Sequence, residues 1–187
     1  MGKKFVGNAG GRSGRGMRVG ERVPSQAMKR LPKVDFSDKA VVLISGVPAS
    51  GKSTYSRWLA AQKCFQYVDL EQSNPTREEQ ALNVLRGLSE TRVVLDYGFA
   101  PLLAMTAIEA FKAAGVVLWW FDADWDVARI KFMGRDRGSV DDFDTQRRKV
   151  LSAWQEIVSI FSPNIIEALR PTGEYVSPED LYDRMFP

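Results

Sequence analysis

An α/β fold, with about five parallel strands flanked by helices, is what this sequence predicts, and three observations predict it. Short apolar runs rich in β-branched residues recur at 41–45 (VVLIS), 92–97 (RVVLDY) and 116–122 (VVLWWFD). Segments of helical length separate them, which implies βαβ units and hence parallel pairing. A glycine-rich loop follows the first run directly and opens into a helix, as at the end of a buried central strand. At 187 residues the chain is long enough for one packed α/β domain and too short for two.

The elements follow in order. The strand at 41–45 leads through the glycine loop into a helix over 52–61. A second strand spans 65–70 and closes on Asp69. A helix over 76–89 follows Pro75, then the strand at 92–97. The helix over 101–114 stops at Gly115, a residue suited to a left-handed C-terminal position. The strand at 116–122 carries Trp119 and Trp120, which are expected in the core. A helix over 126–133 leads to a polar loop at 134–139, and a long helix over 141–161 runs up to Ser162-Pro163. A short fifth strand is expected at 174–176. Ser177-Pro178-Glu179-Asp180 opens the last helix with a capping serine, a proline in the first turn and early acids.

Charge divides the chain. Residues 1–39 hold ten basic and three acidic side chains, a net of +7, whereas the remaining residues hold 16 basic and 20 acidic ones, a net of −4. The first segment is rich in Gly and Arg and has too few apolar residues to offset the entropy of ordering. It is read as a flexible basic arm over 1–37 preceding a domain over 38–187. Such an arm is either a solvated tail or a binder of nucleic-acid phosphates. No apolar run approaches the ~20 residues that span a bilayer, and the opening residues lack the apolar core of a secretory signal. Cys64 is the single cysteine, so no intrachain disulfide is possible. With a cytoplasmic location the default, a membrane partner is not expected. The chain has no histidine, which excludes His-based triads and leaves general-base work to a carboxylate or another group.

Gly46-Val47-Pro48-Ala49-Ser50-Gly51-Lys52-Ser53 satisfies the phosphate-binding pattern G-x-x-x-x-G-K-[ST] in full, with a strand before it and a helix after it. Chance places this pattern in fewer than ~1 in 100 chains of such length. The site residues expected from it are Gly46, Ala49, Ser50, Gly51, Lys52, Ser53 and Thr54. Backbone amides cradle the β-phosphate at the positive end of the helix. Lys52 reaches the β- and γ-phosphates, and the Ser53 hydroxyl is a Mg²⁺ ligand. The ligand so implied is ATP with Mg²⁺.

A carboxylate near the metal is needed at the end of an adjacent strand. Asp96 ends Val93-Val94-Leu95 and fits, holding Mg²⁺ directly or through water. Asp69 ends the second strand and would face the acceptor side, there to take or steer the proton of an attacking hydroxyl; Glu71 is the weaker choice. Arg135 and Arg137, in the loop Gly134-Arg-Asp-Arg-Gly138, would close over the phosphates. Arg129, on the preceding helix, either joins them or pairs with Asp126 or another acid. Arg170-Pro171-Thr172-Gly173 is a candidate loop at the edge of the adenine.

The run GVPASGKST, the strand VVLDYGF and the arginine loop after an acid-ended strand together resemble the small P-loop kinases. The likeness spans roughly 41–161 and is to the AAA-type ATP-binding group that includes polynucleotide kinases and zeta-toxin-like kinases. It implies a P-loop NTPase fold with a five-stranded parallel sheet and an arginine-bearing lid, and phosphoryl transfer from ATP to a hydroxyl or phosphate acceptor. It matches Lys52, Ser53 and Thr54 to the P-loop, Asp96 to the strand-end acid, and Arg135 and Arg137 to the lid. Many relatives carry an arginine soon after the phenylalanine of VVLDYGF, and 99–104 has none.

A kinase is therefore expected, with the basic arm tilting the acceptor slightly toward nucleic acid or nucleotides. A small-metabolite kinase is the alternative, as is a regulatory ATP-hydrolysing or binding protein. A motor-type ATPase would place Glu directly after the metal Asp, where Tyr97 stands. A GTPase would carry Asn-Lys-x-Asp, which is absent.

Overall fold

Val41, Val42, Leu43 and Ile44 are each at most 1% exposed, so the strand they form is covered on both faces, as a central parallel strand must be. This is β1, Ala40–Gly46. The computed structural model describes residues 40–70, 86–87, 92–98, 105–135 and 139–187. The remaining strands are β2 (Gln66–Asp69), β3 (Arg92–Asp96), β4 (Val117–Ala123) and β5 (Ile165–Leu169). All pair in parallel in the order β2-β3-β1-β4-β5. The helices are α1 (Lys52–Lys63), α2 (Met105–Ala113), α3 (Trp125–Met133), α4 (Val140–Ser152), α5 (Trp154–Phe161) and α6 (Pro178–Met185).

The two sheet faces bury separate clusters. Tyr55 and Leu59 of α1 and Leu181 and Met185 of α6 pack with Val42, Ile44 and Val94 on one side. On the other, Ile108 and Phe111 of α2, Phe143 and Val150 of α4, and Ile157 and Phe161 of α5 pack with Leu43, Leu95 and Trp120. Trp120 is fully buried, edge-on to Trp154 and Phe161, so the tryptophan pair of β4 belongs to the core as expected.

The strand order reverses about β1, whose sequence neighbour β2 lies beyond β3. The C-terminal ends of β1, β3 and β4 thus open on a crevice where such sheets bind ligands. The glycine loop leaves β1 at that crevice.

Two expectations need correction. The fifth strand is not at 174–176 but at Ile165–Leu169, and Tyr175 contributes only a single antiparallel bridge to Leu169. The turn at Arg170–Gly173, closed by Gly173 N–H donating to the Arg170 carbonyl at 2.9 Å, lies after the strand rather than before it. The helix over 141–161 is two helices, broken at Ala153 (φ −101°, ψ 8°). No glycine or proline marks that break; it falls where Trp154 meets Trp120. The arm over 1–37 and nearly all of the helix over 76–89 lie outside the described residues.

Candidate functional site

The loop between β1 and α1 starts at a position only glycine fits. Gly46 has φ 150°, and a Cβ there would stand 2.1 Å from the Phe121 carbonyl oxygen of β4. That carbonyl accepts from Val47 N–H at 3.0 Å, so the loop is pinned to β4 as it leaves the sheet. Ala49 is left-handed at φ 64°, a strain that persists only where the surroundings hold it. The Tyr175 hydroxyl does so, donating to the Ala49 carbonyl at 3.0 Å.

Gly51, at φ 95°, begins α1 without a side-chain cap, and no acid occupies the first turn. In contrast, α3, α4 and α6 are capped by Asp124, Ser139 and Ser177 and carry early acids. The first amides of α1 and its positive dipole end are thus left for an anion. Lys52 Nζ donates to the Gly46 and Val47 carbonyls at 3.2 and 3.0 Å, which tethers the ammonium to the same loop.

Asp69 and Asp96 are direct partners in the β2–β3 register, so the two strand-end carboxylates stand side by side on one face of the sheet. Asp96 is only 4% exposed. Its Oδ2 accepts from the Tyr67 hydroxyl at 3.1 Å. Burial, and then the charges of Asp96 and Asp69, push the Tyr67 phenol well above its usual range. It stays protonated and remains a donor.

Gly46, Lys52, Ser53, Thr54, Asp69 and Asp96 line one cavity of about 230 Å³, together with Arg135, Phe132, Gln146 and Val150. The P-loop residues named from the sequence other than Ser50, both carboxylates and one lid arginine are therefore brought together. A second cavity of about 230 Å³ lies on the other side of Gly51 and Thr54. Its walls are Phe121, Ala168, Val176, Pro178 and Leu181, and Arg135 borders it too. Ser50 and Tyr55 also border it, with their hydroxyls enclosed by protein rather than open to the slot. An apolar slot beside the loop between β1 and α1 suits a heterocyclic base. The Arg170–Gly173 turn does not line it. The residues just after that turn do.

Arg135 is exposed, with its guanidinium 5.8 Å from the Phe132 ring centroid. Arg129 lies 4.0 Å from Asp144 of α4, so it pairs with an acid rather than lining either cavity. Arg137 and Glu71 lie outside the described residues. Sequence reasoning missed Tyr67 and Tyr175. Period-two alternation along β2 places Tyr67 on the face of Asp69, a usable signal; the contact of Tyr175 with Ala49 has no local one.

Ser53 and Asp96 are hard oxygen donors, and among the described residues no group of three or more His, Cys, Asp or Glu side chains gathers. Such a donor set fits Mg²⁺, which is held through one or two carboxylates plus phosphates and water rather than by an all-protein cage. No helix among the described residues is long and apolar enough to cross a membrane.

The parallel sheet, its strand order and the loop between β1 and α1 define a P-loop fold of the kinase type. Solved structures that share it include two shikimate kinases. A shikimate kinase from Acinetobacter baumannii, in complex with shikimate, matches with a TM-score of 0.56 at 17% identity, over 80% of this chain and 92% of that one. A shikimate kinase from Bacteroides thetaiotaomicron matches with a TM-score of 0.53 at 14% identity, over 78% of this chain and 96% of that one. No protein-family model matches the sequence, and no curated protein does. The resemblance read from the sequence thus holds at the level of the P-loop kinase fold, and the polynucleotide-kinase and zeta-toxin-like group is not singled out.

Proposed function

We propose that the chain is an ATP- and Mg²⁺-dependent kinase that phosphorylates a hydroxyl of a small molecule. One observation carries the reading: Lys52 and Ser53 share a single cavity with Asp69 and Asp96. An acid beside the phosphate loop serves an acceptor hydroxyl better than bare hydrolysis, because it can orient the hydroxyl and take its proton. The small acceptor supersedes the slight tilt toward nucleic acid that the basic arm gave. The cavity is walled by Phe132, Gln146 and Val150, which suits a compact substrate, and the similar folds are those of proteins named for shikimate.

ATP supplies the phosphoryl group, and Mg²⁺ neutralises charge on its phosphates. Lys52 and the first amides of α1 hold the β- and γ-phosphates. Ser53 and Asp96 hold the ion. The slot walled by Phe121, Ala168 and Val176 takes the base. Asp69 accepts the proton of the acceptor hydroxyl as its oxygen bonds to phosphorus and the bond to the ADP oxygen breaks. Arg135, bordering both cavities, closes against the phosphates and excludes competing water.

The test is acceptor-dependent ADP release from ATP·Mg²⁺ across polyols, hydroxy acids, nucleosides, nucleotides and 5′-hydroxyl DNA and RNA. Stimulation by a small hydroxylated compound is expected. Stimulation by polynucleotides alone would return the acceptor to nucleic acid. ADP release indifferent to every acceptor would make the protein an ATPase.

A further inference from the structure

We propose that Tyr67 is a positioning residue that fixes how Asp96 presents its carboxylate to a divalent ion, and so favours Mg²⁺ over larger cations. The inference rests on the nucleotide-binding reading above and adds to it a residue outside the P-loop pattern.

The geometry follows from the register. Tyr67 pairs with Val94, and Asp69 with Asp96, so Tyr67, Asp69, Val94 and Asp96 share one face of the sheet. The long phenol leans along its strand and reaches not the residue opposite but Asp96, two positions on, at 3.1 Å. Its ring is held in turn, with the Arg57 guanidinium of α1 lying 5.7 Å from its centroid. Asp96 is the one charged side chain in the buried class among the described residues. A carboxylate so enclosed is fixed by whatever bonds it.

With one lone pair of Oδ2 engaged by the phenol, Asp96 is biased toward presenting its other oxygen. Mg²⁺ demands near-ideal octahedral geometry at short range and suits a single carboxylate oxygen. Ca²⁺ sits farther from its ligands and accepts both oxygens of one carboxylate. A hydroxyl bonded to one oxygen therefore discriminates against the larger ion by competing with its chelation. Tyr67→Phe removes the hydroxyl, keeps the ring under Arg57, and frees Oδ2.

The experiment is calorimetric ATP binding to the full chain, in Mg²⁺, in Ca²⁺ and in EDTA, for the wild type, Tyr67→Phe, Asp96→Asn and the double variant. The expected result is a Mg²⁺/Ca²⁺ affinity ratio that falls about three- to tenfold in Tyr67→Phe, the scale of one hydrogen bond, with affinity in EDTA unchanged. The double variant should then match Asp96→Asn, because Tyr67 acts through Asp96. A wild-type ratio in Tyr67→Phe overturns the proposal. So does an equal loss in EDTA, which would mark a merely structural role. Wild-type protein that binds ATP no better with metal than without also overturns the proposal. Wild-type protein that binds no ATP in any of the three conditions overturns the nucleotide-site reading itself, an outcome distinct from the others.

Discussion

Replacing Gly46 with alanine should be among the most damaging single-methyl additions in the protein, and the structure sets the scale. The new Cβ would stand 2.1 Å from the Phe121 oxygen and 2.8 Å from both the carbonyl carbon and the nitrogen of that residue. Every one of these atoms is backbone, so no side chain can swing away. β4 must shift from β1 where Gly46 and Phe121 pair. The shift breaks the 3.0 Å bond from Val47 N–H to the Phe121 carbonyl. Val47 is fully buried, so its unpaired amide costs about 1–3 kcal/mol. The φ of 150° adds about 1–3 kcal/mol for a residue with a side chain. Together these give roughly 2–6 kcal/mol, a large share of the ~5–15 kcal/mol that holds a domain together. Urea unfolding of Gly46→Ala and wild type measures the difference. Gly134→Ala is the matched control, since its Cβ would meet nothing closer than 3.6 Å at an ordinary φ of −73°; it should change stability by less than ~0.5 kcal/mol. A Gly46→Ala loss below about 1 kcal/mol would refute the argument that the loop is pinned to β4.

Two further predictions concern the lid and the sheet end. Arg135→Ala should lower kcat tenfold or more while leaving the urea midpoint nearly unchanged, because the exposed contact with Phe132 is worth only about 0.5–1 kcal/mol; an unchanged kcat would return Arg135 to the surface. Asp122 has its carboxyl pushed above its ordinary value by burial, partly countered by hydrogen bonds from the Ala123 amide and Trp120, and raised also by Glu167. A raised carboxyl favours the folded state while protonated, so that stabilisation is complete below the ordinary value near 3.8 and is lost as pH rises through the folded-state value. The unfolding midpoint of Asp122→Asn should therefore gain on wild type as pH climbs above 4, and a difference independent of pH would contradict the assignment.

What was legible in the sequence is what local chemistry forces. A loop pinned to the neighbouring strand must have glycine where Cβ would collide, so the strand-loop-helix geometry around Gly46 to Thr54 was legible. The placement of Asp69 and Asp96 followed from strand ends alone, and the sheet register put them side by side. The fifth strand was hidden because IIEAL includes Glu and Ala, poor strand formers, while Tyr-Val after the turn looked more like one. Non-local contacts left no trace. Tyr175 reaches Ala49 across 126 positions, and the slot beside Gly51 is assembled from α1, β4, β5 and the start of α6. Arg129 was ambiguous for the same reason, since only packing decides that α4 presents Asp144 to it.

The most direct test of the central claim is the affinity for ATP·Mg²⁺ of wild type and Lys52→Ala, measured by calorimetry alongside far-UV circular dichroism. Lys52 tethers its ammonium to the Gly46 and Val47 carbonyls at the head of α1, where the proposed function puts the triphosphate. Removing the charge should weaken binding at least tenfold, the scale of one charge-assisted hydrogen bond, with the fold unchanged. Equal affinity in the two proteins, with the fold intact, would mean that ATP does not bind at this loop.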